Sequence, residues 1–260
     1  MKKLFFAASL IALLCPLALA AQSKFDGTWK VEKQQPSKKP YIFLLQDGTF
    51  TCKNCVPVWR VAADGQDHKI SGDPYADVEN VKVISEHELT IASKKNGKTV
   101  TTRKLSISPD GKTMKIEFSD SSESNSAPVT GSGTLTRASA GPAGSQPVSG
   151  SWLLGALTQS DNGVTFTLKV AGDTVTMSTP TGQSYSAKLG GPDAPYKGDP
   201  GTTSVSVKRV GANTIEETDK RDGKAVLVST MTVGADGKTM AIVNNEVLSD
   251  RVFHDTAMKQ

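Results

Sequence analysis

Asp110-Gly111-Lys112-Thr113-Met114-Lys115-Ile116-Glu117-Phe118 contains a turn, a strand and half of a repeat. Asp-Gly is a tight-turn dipeptide, because both residues tolerate backbone conformations that other side chains resist. After it, Met114, Ile116 and Phe118 alternate with Lys115 and Glu117. Period two with one apolar face is the pattern of a strand buried on one side only. The first five residues recur as Asp236-Gly237-Lys238-Thr239-Met240, 126 positions later.

The same offset of 126 links other blocks on either side. Gly72-Asp73-Pro74 returns as Gly198-Asp199-Pro200, and Val81-Lys82 as Val207-Lys208. Asn96-Gly97-Lys98 returns as Asp222-Gly223-Lys224. Gly27-Thr28-Trp29 answers Gly150-Ser151-Trp152 at offset 123, so the second copy gains three residues before Asp173, which answers Asp47. A constant offset across separated blocks reads as two copies of one unit. Between them, residues 138–147 read ASAGPAGSQP, small, Pro-containing and uncharged, the composition of a linker. The units are therefore expected at 25–137 and 148–260, each of about 110 residues, near the common domain size.

Both units read as antiparallel β-structure. Val164, Phe166, Leu168 and Val170 alternate with polar residues, as do Leu105 and Ile107. Met231 and Val233, then Met240 and Ile242, keep the phase of the first copy. Asn96-Gly97, Asp222-Gly223, Asp47-Gly48 and Asp64-Gly65 supply turns between the runs. Strands joined by such short turns are antiparallel neighbours, because a parallel link needs a crossover. Beyond the N-terminal segment no long amphipathic helical pattern is present. The expected fold class is all-β: two tandem antiparallel meander β-barrels of about seven to nine strands each.

Residues 1–20 form a different kind of segment. Lys2 and Lys3 precede an apolar run from Leu4 to Leu14, followed by Cys15-Pro16 and Leu17-Ala18-Leu19-Ala20. This is the layout of a secretory signal peptide, with cleavage expected after Ala20. Lipidation of Cys15 is disfavoured, since Leu14 and Pro16 are not the small neighbours such a site prefers. Export to a periplasmic or secreted location follows, with no transmembrane segment in the mature chain. Loss of the two signal lysines takes the 30 Lys and Arg to 28 against 26 Asp and Glu, and the formal charge from +4 to +2. So small a charge excludes a dedicated nucleic-acid binder, which needs a strongly basic face.

Gly-x-Trp at the first strand of a small all-β meander resembles the lipocalin and fatty-acid-binding group, the calycins. The resemblance implies that Trp29 and Trp152 sit at barrel bases, each under a cation from near its unit's last strand. Arg137 matches that cation for the first unit, and Lys259, or Arg251 earlier, is the nearest match in the second. The whole chain is also similar to an uncharacterised class of tandem-repeat secreted bacterial proteins. Phe43, Phe50, Trp59, Phe166 and Tyr185 are the aromatics available to wall a ligand cavity, with Tyr75 and Tyr196 beside them. Small barrels either fill with such side chains or hold one small ligand.

Cys52-Lys53-Asn54-Cys55 can be a local disulfide, a redox dithiol or half a metal site. An oxidising compartment favours the disulfide. The strand-like flanks lack the helix N-terminus that activates redox thiols. Zinc would need further ligands, and there is no second Cys pair. His68, His87 and His254 are scattered, and no Gly-x-Ser-x-Gly is present. Residues 119–126 have only Asp120 and Glu123 as acids and lack the pattern of a calcium loop. Neither a metal nor a cofactor is expected.

The leading expectation is a non-enzymatic protein that binds a small apolar or amphipathic molecule. The alternatives are a structural or interaction protein of the cell envelope, and a thiol-disulfide enzyme using Cys52 and Cys55. Free-thiol titration of the exported protein separates the readings of the Cys pair. With a disulfide, Cys52 and Cys55 stay silent until reductant is added; two thiols titrating without reductant rule it out.

Overall fold

The computed structural model describes residues 23–123 and 127–260, so the signal segment, Cys15 and residues 124–126 lie outside the described residues. The first ten strands are β1 (Gly27–Gln35), β2 (Tyr41–Gln46), β3 (Thr49–Cys52), β4 (Trp59–Ala62), β5 (Asp64–Lys69), β6 (Val78–Ser85), β7 (Glu88–Lys95), β8 (Lys98–Ile107), β9 (Thr113–Asp120) and β10 (Val129–Ala140). The next ten are β11 (Gly150–Gln159), β12 (Thr165–Ala171), β13 (Thr174–Ser178), β14 (Ser184–Lys188), β15 (Ala194–Lys197), β16 (Ser204–Gly211), β17 (Thr214–Arg221), β18 (Lys224–Val233), β19 (Thr239–Glu246) and β20 (Arg251–Lys259). A single 3-10 turn, Asp161–Gly163, separates β11 from β12.

The tight turns form as their residues dictate. Asn96 and Asp222 both adopt φ 51°, followed by Gly97 at 76° and Gly223 at 77°. Positive φ at both central positions reverses the chain with the twist the flanking strands need. Asp64-Gly65 behaves differently: it lies within β5, where the register against β6 shifts, and so makes a bulge rather than a stop.

All the strands fall into two antiparallel ten-stranded sheets, as the all-β reading expects. One runs β4-β3-β2-β11-β10-β9-β8-β7-β6-β5, curling nearly into a barrel with its seam between β4 and β5. The other closes fully, with β1 lying between β12 and β20.

The sheets do not coincide with the contiguous segments 25–137 and 148–260, because each segment gives its first strand to the other sheet. β1 pairs with β12 and β20, while β11 pairs with β10 and β2. Residues 138–140 continue β10, and the rest of the small-residue stretch closes a hairpin inside one sheet. Small residues and Pro suit a hairpin loop as well as a linker, so composition alone cannot tell them apart. The end of that loop is fixed: Val148 and Ser149 are buried, and the Ser149 hydroxyl bonds both the N–H and the carbonyl of Leu45. The chain passes between sheets elsewhere, after Gln35 and through the 3-10 turn.

The exchange re-pairs the tryptophans and their cations. Arg137 stands opposite Trp152, with its guanidinium carbon 4.0 Å from the ring centre. Lys259 stands opposite Trp29, its ammonium 4.8 Å from the ring. The pairing of Arg137 with Trp29 that the lipocalin resemblance implies is therefore corrected, because the strand bearing Trp29 sits in the other sheet. Both indoles are fully buried and donate alike, Trp29 to the Phe25 carbonyl and Trp152 to that of Val148, each at 2.8 Å. Arg137 also donates to the carbonyls of Gly111, Pro147 and Ser149, so it ties two loops at that end.

The cores follow the sheets. Trp29 and Phe25 pack with Leu168, Val205, Ile215 and Met240, and Trp152 packs with Leu45, Phe50, Leu105 and Met114. Truncating a buried Trp to Ala costs about 3–5 kcal/mol. Hydrogen exchange should show where that cost falls. Trp29→Ala accelerates exchange first in β12 and β20, and Trp152→Ala in β2 and β10; the reverse assignment would disprove the exchange of strands.

Candidate functional site

Inward positions of the first sheet enclose a cavity of about 550 Å³. Alternation along β2, β3 and β4 turns Phe43, Phe50 and Trp59 toward it, and Leu105, Met114 and Ile116 face them from β8 and β9. The rings form a continuous wall, with Phe43 5.7 Å from Phe50 and Phe50 5.4 Å from Trp59. Cys52 and Cys55 form a disulfide with Cα atoms 5.5 Å apart, and both border the cavity. The bond holds the turn after β3 and its two sulfurs are spent in the wall.

A polar group sits within this apolar lining. Glu79, only 3% exposed, accepts the Ser93 hydroxyl at 2.9 and 3.0 Å, and Arg103 donates to Ser93 at 3.2 Å. Burial pushes the Glu79 carboxyl above its usual range, against the pull of Arg103 and the Ser93 hydrogen bond. The first sheet thus answers its buried acid with a cation.

The second sheet reaches into the same cavity. Arg251 stacks 4.3 Å over the Tyr41 ring, donates to the Asn54 carbonyl at 3.5 Å, and borders the lumen beside Glu246. Its Nε is buried without a hydrogen-bond partner. A second chamber, about 730 Å³, adjoins this end and takes its walls from both sheets. Tyr41, Arg103, Phe118, Asp120, Glu123 and Glu246 line both spaces, so the apolar lumen opens into a polar vestibule.

Two matching turns meet nearby. The amides of Tyr75 and Gly201 donate to the carboxylates of Asp73 and Asp199, and the Tyr75 hydroxyl donates across to Asp199 at 3.0 Å. A Cβ on Gly201 would lie 1.9 Å from that hydroxyl. Glycine in the second turn is what gives Tyr75 of the first its place.

The lumen of the closed barrel is about 330 Å³ and differs in chemistry. Phe166, Leu168 and Met177 line it together with Glu217, Asn244 and Asp255. Glu217 and Asp219 are 8% and 6% exposed, on the inward face of β17. The Tyr185 hydroxyl donates to Glu217, and its ring lies 5.9 Å from that of Tyr196. Burial and then repulsion from Glu217 push the Asp219 carboxyl up to about 9. Burial raises Glu217 and Asp255 as well.

Of the residues singled out in the sequence, Phe43, Phe50 and Trp59 meet at the first cavity and Phe166 lines the lumen of the closed barrel. Tyr185 contributes its hydroxyl to Glu217. Trp29, Trp152 and Arg137 border none of these spaces and belong to the closed ends. Register also sets the counterpart of Cys52. Cys52 lies opposite Phe43 and Met177 opposite Leu168, while Phe43 and Leu168 face Gly150 and Gly27 in turn. Met177 therefore takes the place of Cys52 in the closed barrel.

Sequence reading missed Glu79, Glu217 and Asp219, and it offered Arg251 as a barrel-base cation of the second unit, whereas Arg251 borders the first cavity over Tyr41. A faint signal exists in Ile215-Glu216-Glu217-Thr218-Asp219, where acids fall on the phase set by Ile215. The histidines do not converge, and among the described residues no group of three or more His, Cys, Asp or Glu is placed to hold a metal ion. Also among the described residues, no helix is long and apolar enough to cross a membrane.

The fold and cavities define an all-β protein of two ten-stranded antiparallel sheets, one closed and one nearly closed, that share a vestibule. No family model and no curated protein matches the chain. Among solved structures, BamB from Moraxella catarrhalis aligns over 88% of this chain and 97% of its own at 9% identity and a TM-score of 0.14, far below the level of a shared fold.

The buried acids make stability depend on pH. An acid whose folded pKa exceeds its unfolded value favours folding while protonated, so that contribution is lost as pH rises. For Asp219 the window runs from about 4, the unfolded carboxyl, to about 9. Each extra proton held by the folded state tilts stability by about 1.4 kcal/mol per pH unit. Asp219→Asn is expected to flatten the decline and to be the more stable protein at pH 8–9. Denaturant titrations across this range check it, and parallel curves for the two proteins would contradict it.

Proposed function

We propose that this protein is an exported, non-enzymatic carrier that holds a small apolar or amphipathic molecule in its first barrel. The observation that carries the reading is the cavity of about 550 Å³, walled by Phe43, Phe50, Trp59 and aliphatic side chains. Its volume falls within the range of small-molecule pockets, as does its mostly apolar lining with a few placed polar groups. The opening into a vestibule bearing Arg103, Asp120 and Glu246 suits a molecule with an apolar body and a polar end.

Other features agree with this reading. The Cys52–Cys55 bond suits an oxidising compartment, in keeping with a signal peptide cleaved after Ala20. The lipocalin-like reading draws on the antiparallel barrels and on a buried Trp under a cation at each closed end. Matching turns and strand phases support descent of the halves from one duplicated unit. The sulfurs, bonded to one another within the wall, fit a structural role better than thiol chemistry.

Native mass spectrometry of gently extracted protein should show a co-purifying small molecule. N-phenyl-1-naphthylamine, a neutral apolar dye, should bind saturably and be displaced by that molecule. Ile116→Trp, which fills the cavity from β9, should abolish dye binding while the melting temperature holds; Leu154→Phe repeats the test from β11. Undiminished dye binding in folded samples of both variants would overturn the proposal.

A further inference from the structure

The two lumens occupy equivalent positions in their sheets, yet their buried charges differ. Val81 faces Ile91 and Ile91 faces Arg103 in the first sheet; Val207 faces Glu217 and Glu217 faces Ser229 in the second. One residue pair along, Glu79 faces Ser93 where Val205 faces Asp219. Relative to the first lumen, the second has therefore exchanged Arg103 for Ser229, Ile91 for Glu217, Ser93 for Asp219 and Glu79 for Val205. It has gained two acids, lost one, and lost the cation.

Among the described residues no cation enters the second lumen: none of the 15 that line its cavity is a Lys, Arg or His. Arg221, two residues beyond Asp219 on β17, acts on Tyr75 of the other sheet. Lys259 lies over Trp29 at the closed end, and His254 is exposed on the outer face of β20. Asp219, at 6% exposure, keeps Oδ1 buried without a hydrogen-bond partner, and so does Asp255 on the cavity wall. Buried acceptors without donors are costly, and buried carboxylates are normally paired.

We infer that the second barrel is a binding site of its own, for a small organic cation: an amine whose ammonium meets Glu217 and Asp255 on the cavity wall, with Asp219 buried behind Glu217 on the same face of β17, and whose apolar part packs on Phe166 and Met177. A primary ammonium supplies three donors and one positive charge, which are what this lumen lacks. A bare metal ion is the poorer fit, since these acids are not grouped as a coordination shell. Without the amine, Glu217 and Asp219 share a proton; on binding, the ammonium takes over that charge balance and a proton is released to solvent.

The test is calorimetric titration of the mature protein with phenethylammonium at pH 7, beside 2-phenylethanol, its neutral counterpart. The expected result is saturable binding of the amine alone, with a heat that changes with the ionisation enthalpy of the buffer because a proton leaves. Glu217→Gln and Asp219→Asn, both close in shape to the native residues, should each weaken binding by about tenfold or more. Ile116→Trp, which blocks the first cavity, should leave amine binding in place, so failure of the first-barrel reading stays distinct from failure of this one. The inference is overturned if the amine does not saturate, if the alcohol binds as well, or if both carboxyl variants bind as the native protein does.

Discussion

Each barrel is completed by a strand from the other half of the chain, and the rest of the structure depends on that pairing. Without β1 the closed barrel would carry two open edges, on β12 and β20, and its core would lose Trp29. Without β11 the other sheet would break between β2 and β10. Cross-strand pairing then sets Trp29 opposite Lys259 and Trp152 opposite Arg137. Each pair seals the end of a barrel with an indole under a cation, which leaves the opposite region free to open. The reach of Arg251 and Glu246 toward the first cavity belongs to the same arrangement, since the sheets cannot drift apart while each holds a strand of the other.

Within that frame the two lumens are chemically independent. A β-strand offers only every second residue to the interior, so a handful of inward positions decides what a barrel can accept. Changing four of them moves one lumen from an acid answered by a cation to acids with no cation beside them. The outward residues are untouched by such changes, and the hairpin turns at Asn96-Gly97 and Asp222-Gly223 keep the same conformation. One scaffold can in this way carry two different interiors.

Much of the architecture was legible in the sequence because it is local. Turn dipeptides and period-two alternation announced antiparallel strands, and the constant offset announced equivalent positions in both halves. The aromatics Phe43, Phe50 and Trp59 were legible as a wall because they share an inward phase. The partners of β1 and β11 were not, since nothing in Gly27-Thr28-Trp29 distinguishes pairing with its own half from pairing with the other. Residues 138–147 misled for a related reason: a hairpin loop and a linker draw on the same small residues. Glu217 and Asp219 escaped notice because charge in a strand reads as solvent-facing, and only the register of β17 shows these acids turned inward.

The route of the chain also fixes an order of assembly. β1 is made before the other strands, yet both its partners, β12 and β20, come more than a hundred residues later. The strands from Tyr41 to Gln159 are contiguous and can pair among themselves while β1 waits. During that interval β1 is an unpaired strand, a template for contact with other chains. Its sequence blunts the hazard: Lys30, Glu32 and Lys33 spread charge along it. When the final strand arrives, the amide of Gln260 donates to the carbonyl of Thr28 at 2.9 Å. The twentieth strand is thus fastened beside the first, and a late-made segment secures an early one.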